Sequence, residues 1–195
     1  MVEMKTLSFE EQMAALAERG LGGEAELAAM LAAARLPEPG ERTLIAWSRE
    51  LIGVADAAAR IEREGRPVVL GHLTPEDLAG FVPIEAVELP ESPAYAALDV
   101  DLGAASRNVR PEDALGEILA AGRSPLTLDE GIALVLQQPG AIAPNWGFST
   151  AGSRRGDQRV AAFWISEKRP KLGWCWDRNP HTWLGTASCA GRVSV

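Results

Sequence analysis

Two neighbouring stretches near the C-terminus constrain the fold most, because their side-chain patterns predict β-strands rather than helices. Residues 159–166, RVAAFWIS, are apolar at odd and even positions alike, which predicts a central strand covered on both faces, with Phe163 and Trp164 in the core. Residues 171–177 alternate instead: the even positions, Trp174 among them, are predicted on one face and the odd positions, Cys175 among them, on the other. The chain is therefore expected to end in an antiparallel sheet.

The first 64 residues have patterns typical of helices. Ser8 and Glu11 form a capping box ahead of an apolar stripe, residues 24–35 repeat that stripe, and residues 42–64 place apolar side chains along one helical face. This region is interpreted as a packing module, or alternatively as a surface on which a partner or a second copy of the chain docks to form a homodimer.

Beyond residue 64 the chain mixes strands and helices. Short strands are predicted at residues 67–70, 83–89 and 95–102, and a helix over residues 108–121. Thr74 followed by Pro75 marks one further helix start, and the capping box of Thr127 and Glu130 marks another.

The fold class that follows is α+β: N-terminal helices, a mixed region and a C-terminal antiparallel sheet. A length of 195 residues with 47% hydrophobic residues suits one well-filled core. We expect a helical segment over residues 1–64 and an α+β core over residues 65–195, together forming one structural domain.

Composition and charge narrow the classes of function. No stretch resembles a signal peptide or a membrane span, so we expect a cytoplasmic protein without a membrane partner and with reduced cysteines. The net charge is −8, yet residues 154–195 carry eight Lys and Arg against three Asp and Glu. Nucleic-acid binding is disfavoured by the overall charge, and no complete cofactor fingerprint or metal-ligand spacing is present, so no cofactor and no metal are predicted.

The C-terminal residues concentrate the side chains that carry chemistry. Residues 173–192 hold three of the six tryptophans, both cysteines and one of the two histidines. The favoured interpretation is a site at the C-terminal sheet and loops for a small molecule or peptide, with anionic ligands among the candidates. Polar and basic groups would fix the ligand and indoles would form its walls; the candidates are Arg154, Arg155, Asn179 and His181 with Trp146 and Trp183.

An enzyme is the alternative. A turn at residues 178–181 would make residues 181–189 the hairpin partner of the Cys175 strand and bring His181 close to Cys175, with Cys189 on the face of His181. Cys175 or Cys189 would then act as the nucleophile and His181 as its base, in acyl or group transfer. For the two cysteines themselves, inert buried thiols are the favoured interpretation, ahead of a nucleophile.

The C-terminal part also carries a resemblance. In the sequences SPLTLDEGIAL and GWCWDRNPHTWLGTASC the chain resembles an uncharacterised family of actinobacterial proteins of roughly 200 residues and unknown function. The resemblance implies a bacterial cytosolic protein and no particular reaction. The residues that carry it are Trp174, Cys175, Trp176, Asn179, Pro180, His181, Trp183 and Cys189.

Overall fold

The computed structural model describes residues 4–21 and 42–194. The helices in these ranges are α1 (Phe9–Glu18), α2 (Val54–Ala59), α3 (Pro75–Gly80), α4 (Pro111–Ala120) and α5 (Leu128–Gln137), with short 3-10 turns at Ala104–Ser106 and Pro139–Ala141. The strands are β1 (Leu44–Trp47), β2 (Glu62–Arg63), β3 (Arg66–Pro67), β4 (Val69–Leu70), β5 (Val82–Pro83), β6 (Ala94–Leu98), β7 (Ser124–Pro125), β8 (Gly147–Ser149), β9 (Ser153–Arg154), β10 (Arg159–Ser166), β11 (Arg169–Trp176), β12 (Leu184–Thr186), β13 (Ser188–Cys189) and β14 (Gly191–Ser194). The fold is α+β, as the sequence predicted.

Three helices begin at the predicted caps. The side chains of Ser8, Thr74 and Thr127 each accept the amide N–H three residues further on, and the acidic side chain at that position accepts the amide N–H of the cap residue. These reciprocal bonds satisfy amides that a helix start otherwise leaves unpaired. Within the described ranges, no helix combines the length and the apolar character needed to cross a membrane.

The larger sheet has five strands in the order β12-β8-β10-β11-β4. Its centre is antiparallel, because β10 pairs antiparallel with both β8 and β11. Its two edges are parallel: β12 runs parallel to β8, and β4 runs parallel to β11. The tight turn between β10 and β11 consists of Glu167 and Lys168, both at positive φ, which matches the right-handed twist of a hairpin.

Helix α5 is the central helix and lies between two sheets. A smaller antiparallel sheet in the order β1-β6-β14 packs on one side, where the Gln137 side-chain amide donates to the Ile45 carbonyl at 2.7 Å. On the other side Gly131 faces the larger sheet so closely that an added Cβ would lie 2.6 Å from the Phe163 ring. All residues of α5 except Asp129 are buried, so this helix separates the two sheets.

The two faces of the larger sheet belong to two clusters of buried side chains. Phe163 and Leu172 join the main core with α5, whereas Val160 and Cys175 join a smaller cluster on the opposite face. The predicted central strand and the predicted alternation of residues 171–177 are both confirmed. Trp164 differs from the prediction, because it is only partly buried and packs at the margin of the smaller cluster.

One predicted helix is wrong. Residues 42–64 form β1, α2 and β2 in place of a single helix. Leu44–Trp47 is a run of four buried residues that pairs with β6, and such a short apolar run fits a strand covered on both faces as well as it fits one turn of a helix. Gly53, as the N-cap of α2, then starts a helix of six residues.

Two strand predictions also need correction. Of residues 83–89 only Pro83 belongs to a strand, β5. Residues 181–189 do not form a hairpin with β11: β12 pairs with β8, and β13 pairs with β7 in another sheet. The helix predicted at residues 24–35 lies outside the described residues.

Candidate functional site

Trp164, Trp183, His181 and Lys171 form one continuous surface, here called the tryptophan surface. The ring centroids of Trp164 and Trp183 are 5.8 Å apart, and those of Trp183 and His181 are 5.2 Å apart. The Lys171 ammonium lies 5.4 Å from the centroid of Trp164. All four residues are partly buried, so each packs against the protein and keeps part of its surface in contact with solvent.

Glycines on neighbouring strands make room for these rings. A Cβ at Gly173 would lie 2.5 Å from Cη2 of Trp164, and a Cβ at Gly147 would lie 3.0 Å from the Cβ of Trp164. Gly147 belongs to β8, which separates the Trp164 strand from β12. Because Gly147 has no side chain, Trp164 can contact Trp183 across the intervening strand.

Lys171 owes its position to a third glycine. An added Cβ at Gly71 would lie 2.6 Å from Cε of Lys171, so the aliphatic stem of Lys171 rests against the Gly71 backbone. This contact directs the ammonium over the indole of Trp164, in the geometry of a cation–π interaction.

Trp146 lies beside the tryptophan surface and is held by Arg107. The Arg107 guanidinium stacks 4.4 Å from the centroid of Trp146 and donates to the carbonyls of Thr182, at 2.7 Å, and Asn145, at 3.2 Å. The amide of Gly147 donates to the Trp183 carbonyl at 2.9 Å. The structure therefore brings Trp146, His181 and Trp183 into one region, and Arg107 is a connecting residue that the sequence did not single out.

Arg154 and Arg155 are engaged elsewhere. Arg154 forms an ion pair with Asp177 at 3.0 Å, and burial lowers the pKa of Arg154 while raising that of Asp177. Arg155 forms an ion pair with Asp77 and lies over the Phe81 ring at 5.7 Å. Both predicted anion-binding arginines are thus already neutralised by carboxylates within the chain.

Asn179 and His181 belong to the segment that leads into β12. The backbone N–H of Asn179 donates to the Trp176 carbonyl at 3.1 Å, and the residue is exposed. The His181 carbonyl accepts the amide of Asn108 at 2.9 Å. Burial lowers the pKa of His181, so the imidazole beside Trp183 is neutral at neutral pH.

The two cysteines lie in different parts of the core. Cys175 is buried in the smaller cluster, and Cys189 is buried in the main core. Burial raises the pKa of Cys175 to about 12 and that of Cys189 to about 11. Since β8 and β10 separate β11 from β12, the hairpin that was to bring His181 to Cys175 does not form.

A second aromatic pair occupies the opposite face of β11. Trp174 and Trp176 meet edge to face with centroids 4.7 Å apart, and Trp176 is 49% exposed. Arg159 lies over the Trp174 ring at 5.6 Å, but its guanidinium is paired with Asp157 at 2.8 Å. This pair therefore offers a ring surface whose neighbouring cation already has a partner.

The described residues contain no group of three or more His, Cys, Asp or Glu that could hold a metal ion. A cavity of about 460 Å³ lies away from the tryptophan surface, between β14 and residues 86–90.

The chain matches one family model. A family model described as a family of unknown function (DUF5701) matches residues 6–195. No curated protein and no solved structure matches the chain.

Proposed function

This chain belongs to the family of unknown function (DUF5701), and we propose that it is a binding protein that holds a small molecule, or a short peptide, by a planar ring on the tryptophan surface. The observation that carries the proposal is the contact between Trp164 and Trp183, two partly buried indoles held side by side by glycines of the sheet.

Physical chemistry supports this use of the indoles. Rings that are already fixed lose little conformational entropy when a ligand binds, and each aromatic contact contributes about 0.5–1.5 kcal/mol beyond the area that it buries. Within the described part of the chain, no acceptor meets the indole N–H of Trp164 or Trp183. Both groups are free to donate to a ligand, and such donors fix the orientation of a ring on an apolar wall.

The enzyme alternative has less support. A cysteine nucleophile reacts as the thiolate, and both thiols are buried with a raised pKa and without the predicted contact to His181.

The docking alternative has less support as well, because the described N-terminal helix uses its buried face within the chain. The Gln12 side-chain amide of α1 donates to the Thr43 carbonyl at 2.9 Å and accepts the Ile45 amide at 2.8 Å.

A neutral ring probe tests the proposal. We expect 2-naphthylacetamide to shift the indole N–H signals of Trp164 and Trp183 in ¹⁵N-labelled protein, and the substitution W183A to weaken its binding by at least about tenfold. W176A is the matched control, because it removes an exposed indole from the opposite face. The proposal fails if the probe leaves both signals unchanged, or if W176A rather than W183A abolishes binding.

A further inference from the structure

The basic side chains of the C-terminal region differ in whether a carboxylate neutralises them. Five arginines of this region form ion pairs within 4.0 Å. They are Arg154, Arg155, Arg159, Arg178 and Arg192. Arg169 donates instead to the Pro67 carbonyl at 3.0 Å. The other basic residues of this region are Lys168 and Lys171, and neither has an acidic partner among the described residues.

These two lysines have different surroundings. Lys168 is exposed in the turn between β10 and β11, where water solvates its ammonium. Lys171 is partly buried, with its stem against Gly71 and its ammonium over the Trp164 indole. A partly desolvated ammonium without an acceptor gains more from a ligand's negative charge than an exposed one does.

We propose that the ligand of the tryptophan surface carries a carboxylate joined by a short tether to its planar ring, and that Lys171 binds this carboxylate while Trp164 and Trp183 hold the ring. This inference rests on the proposed function and adds the chemical class of the ligand. The Lys171 ammonium lies 5.4 Å from the Trp164 ring centroid, and the Trp183 centroid lies 5.8 Å from that of Trp164. A ligand that carries an acid at one end of a ring system matches this order of groups.

The charge of the site favours a carboxylate over a phosphate. The Lys171 ammonium supplies one positive charge beside Trp164, whereas the Arg107 guanidinium is stacked on Trp146 and donates to the carbonyls of Thr182 and Asn145. The neighbouring His181 adds no charge at neutral pH because burial lowers its pKa. The chain as a whole carries a net charge of −8, so a dianion meets stronger repulsion from the rest of the molecule than a monoanion does.

The test uses three probes that share one ring and differ in charge: 2-naphthylacetate, 2-naphthylacetamide and 2-(2-naphthyl)ethylamine. Binding to the ¹⁵N-labelled full chain is followed through the indole N–H signals of Trp164 and Trp183. We expect the acid to bind at least about fivefold more tightly than the amide and the amine to bind most weakly, because an ammonium–carboxylate hydrogen bond is charge-assisted. Added salt should weaken binding of the acid and leave binding of the amide unchanged.

Substitution identifies the cation responsible. K171M keeps the aliphatic stem and removes the charge, so the acid should then bind no better than the amide. K168M, which makes the same change three residues away in the turn, should preserve the preference. If K171M does not fold, K171Q is the second variant, and the salt dependence of the unmodified protein needs no variant.

The other binding results separate failure of the inference from failure of the proposed function. If acid and amide bind equally to the unmodified protein, or if K168M abolishes the preference, the inference is overturned while the proposed function stands. If the amine binds best, the inference is overturned as well. If none of the three probes binds, the proposed function and the inference both fail.

Discussion

Among single residues, the two thiols show how burial decides chemistry. A thiol that loses contact with water loses the solvation of its charged form, and its pKa rises. This holds for Cys175, where the charge of Arg154 only partly offsets the effect of burial on the pKa. It also holds for Cys189, whose pKa is raised both by burial and by the carboxylate of Glu130. Neither residue therefore provides the thiolate that cysteine catalysis needs.

A labelling experiment checks this state of the thiols. With pKa values of about 12 for Cys175 and about 11 for Cys189, both residues should resist iodoacetamide in the native protein at mildly alkaline pH. Both should react once the chain is unfolded in concentrated guanidinium chloride, which serves as the control. Mass spectrometry counts the modified thiols, and rapid native labelling of either cysteine would revive the enzyme alternative.

At the scale of one element, helix α3 depends on a carboxylate with two partners. Asp77 accepts the amide of Thr74 at 2.9 Å and forms an ion pair with Arg155, so it closes the helix start and ties α3 to the loop after β9. These interactions, the Thr74 amide first, lower the pKa of Asp77 from 3.8 to about 2.

The sign of the pH dependence follows from that lowered pKa. The folded state binds the Asp77 proton less tightly than the unfolded state, so the contribution to stability is complete above pH 3.8 and disappears as the pH falls towards 2. D77N keeps an acceptor for the Thr74 amide but cannot be charged. We expect the thermal midpoint of this variant to fall less steeply between pH 4 and pH 2 than that of the unmodified protein; parallel profiles would contradict the assignment.

At the scale of the whole molecule, one buried ion pair joins the central helix to the smaller sheet. Glu130 of α5 accepts two hydrogen bonds from the Arg192 guanidinium of β14, at 2.5 and 2.8 Å, and neither side chain is more than 3% exposed. Arg192 also donates to the Ser124 hydroxyl at 2.7 Å and the Pro125 carbonyl at 3.0 Å. The pair thus connects α5, β7 and β14.

Removing one charge of this pair should be costly. E130Q keeps an acceptor for the Thr127 amide and leaves Arg192 buried without a counter-charge, which typically destabilises a protein by about 3–5 kcal/mol. R110M breaks the exposed pair of Arg110 and Asp113 and should cost less than about 1 kcal/mol. Urea unfolding of the two variants compares their stabilities, and equal losses would show that the buried pair does not hold α5 to the smaller sheet.

The sequence by itself determined the local features of this protein. The capping boxes at Ser8 and Thr127, the start of a helix at Thr74 and the central strand Arg159–Ser166 all follow from interactions between residues close in the chain or from the alternation of side chains. The concentration of tryptophans near the C-terminus likewise predicted a site that includes Trp146, His181 and Trp183, and these residues lie in one region.

The tertiary structure alone decided strand pairing and the composition of the site. Leu44–Trp47 became a strand because β6 supplies its hydrogen bonds, and Leu184–Thr186 paired with β8 rather than β11; both choices depend on partners far away in the chain. The same is true of Trp164 and Lys171, which enter the site because glycines on neighbouring strands leave space for them. A pattern of side chains shows which face of a strand is apolar, but it does not show which strand lies beside it.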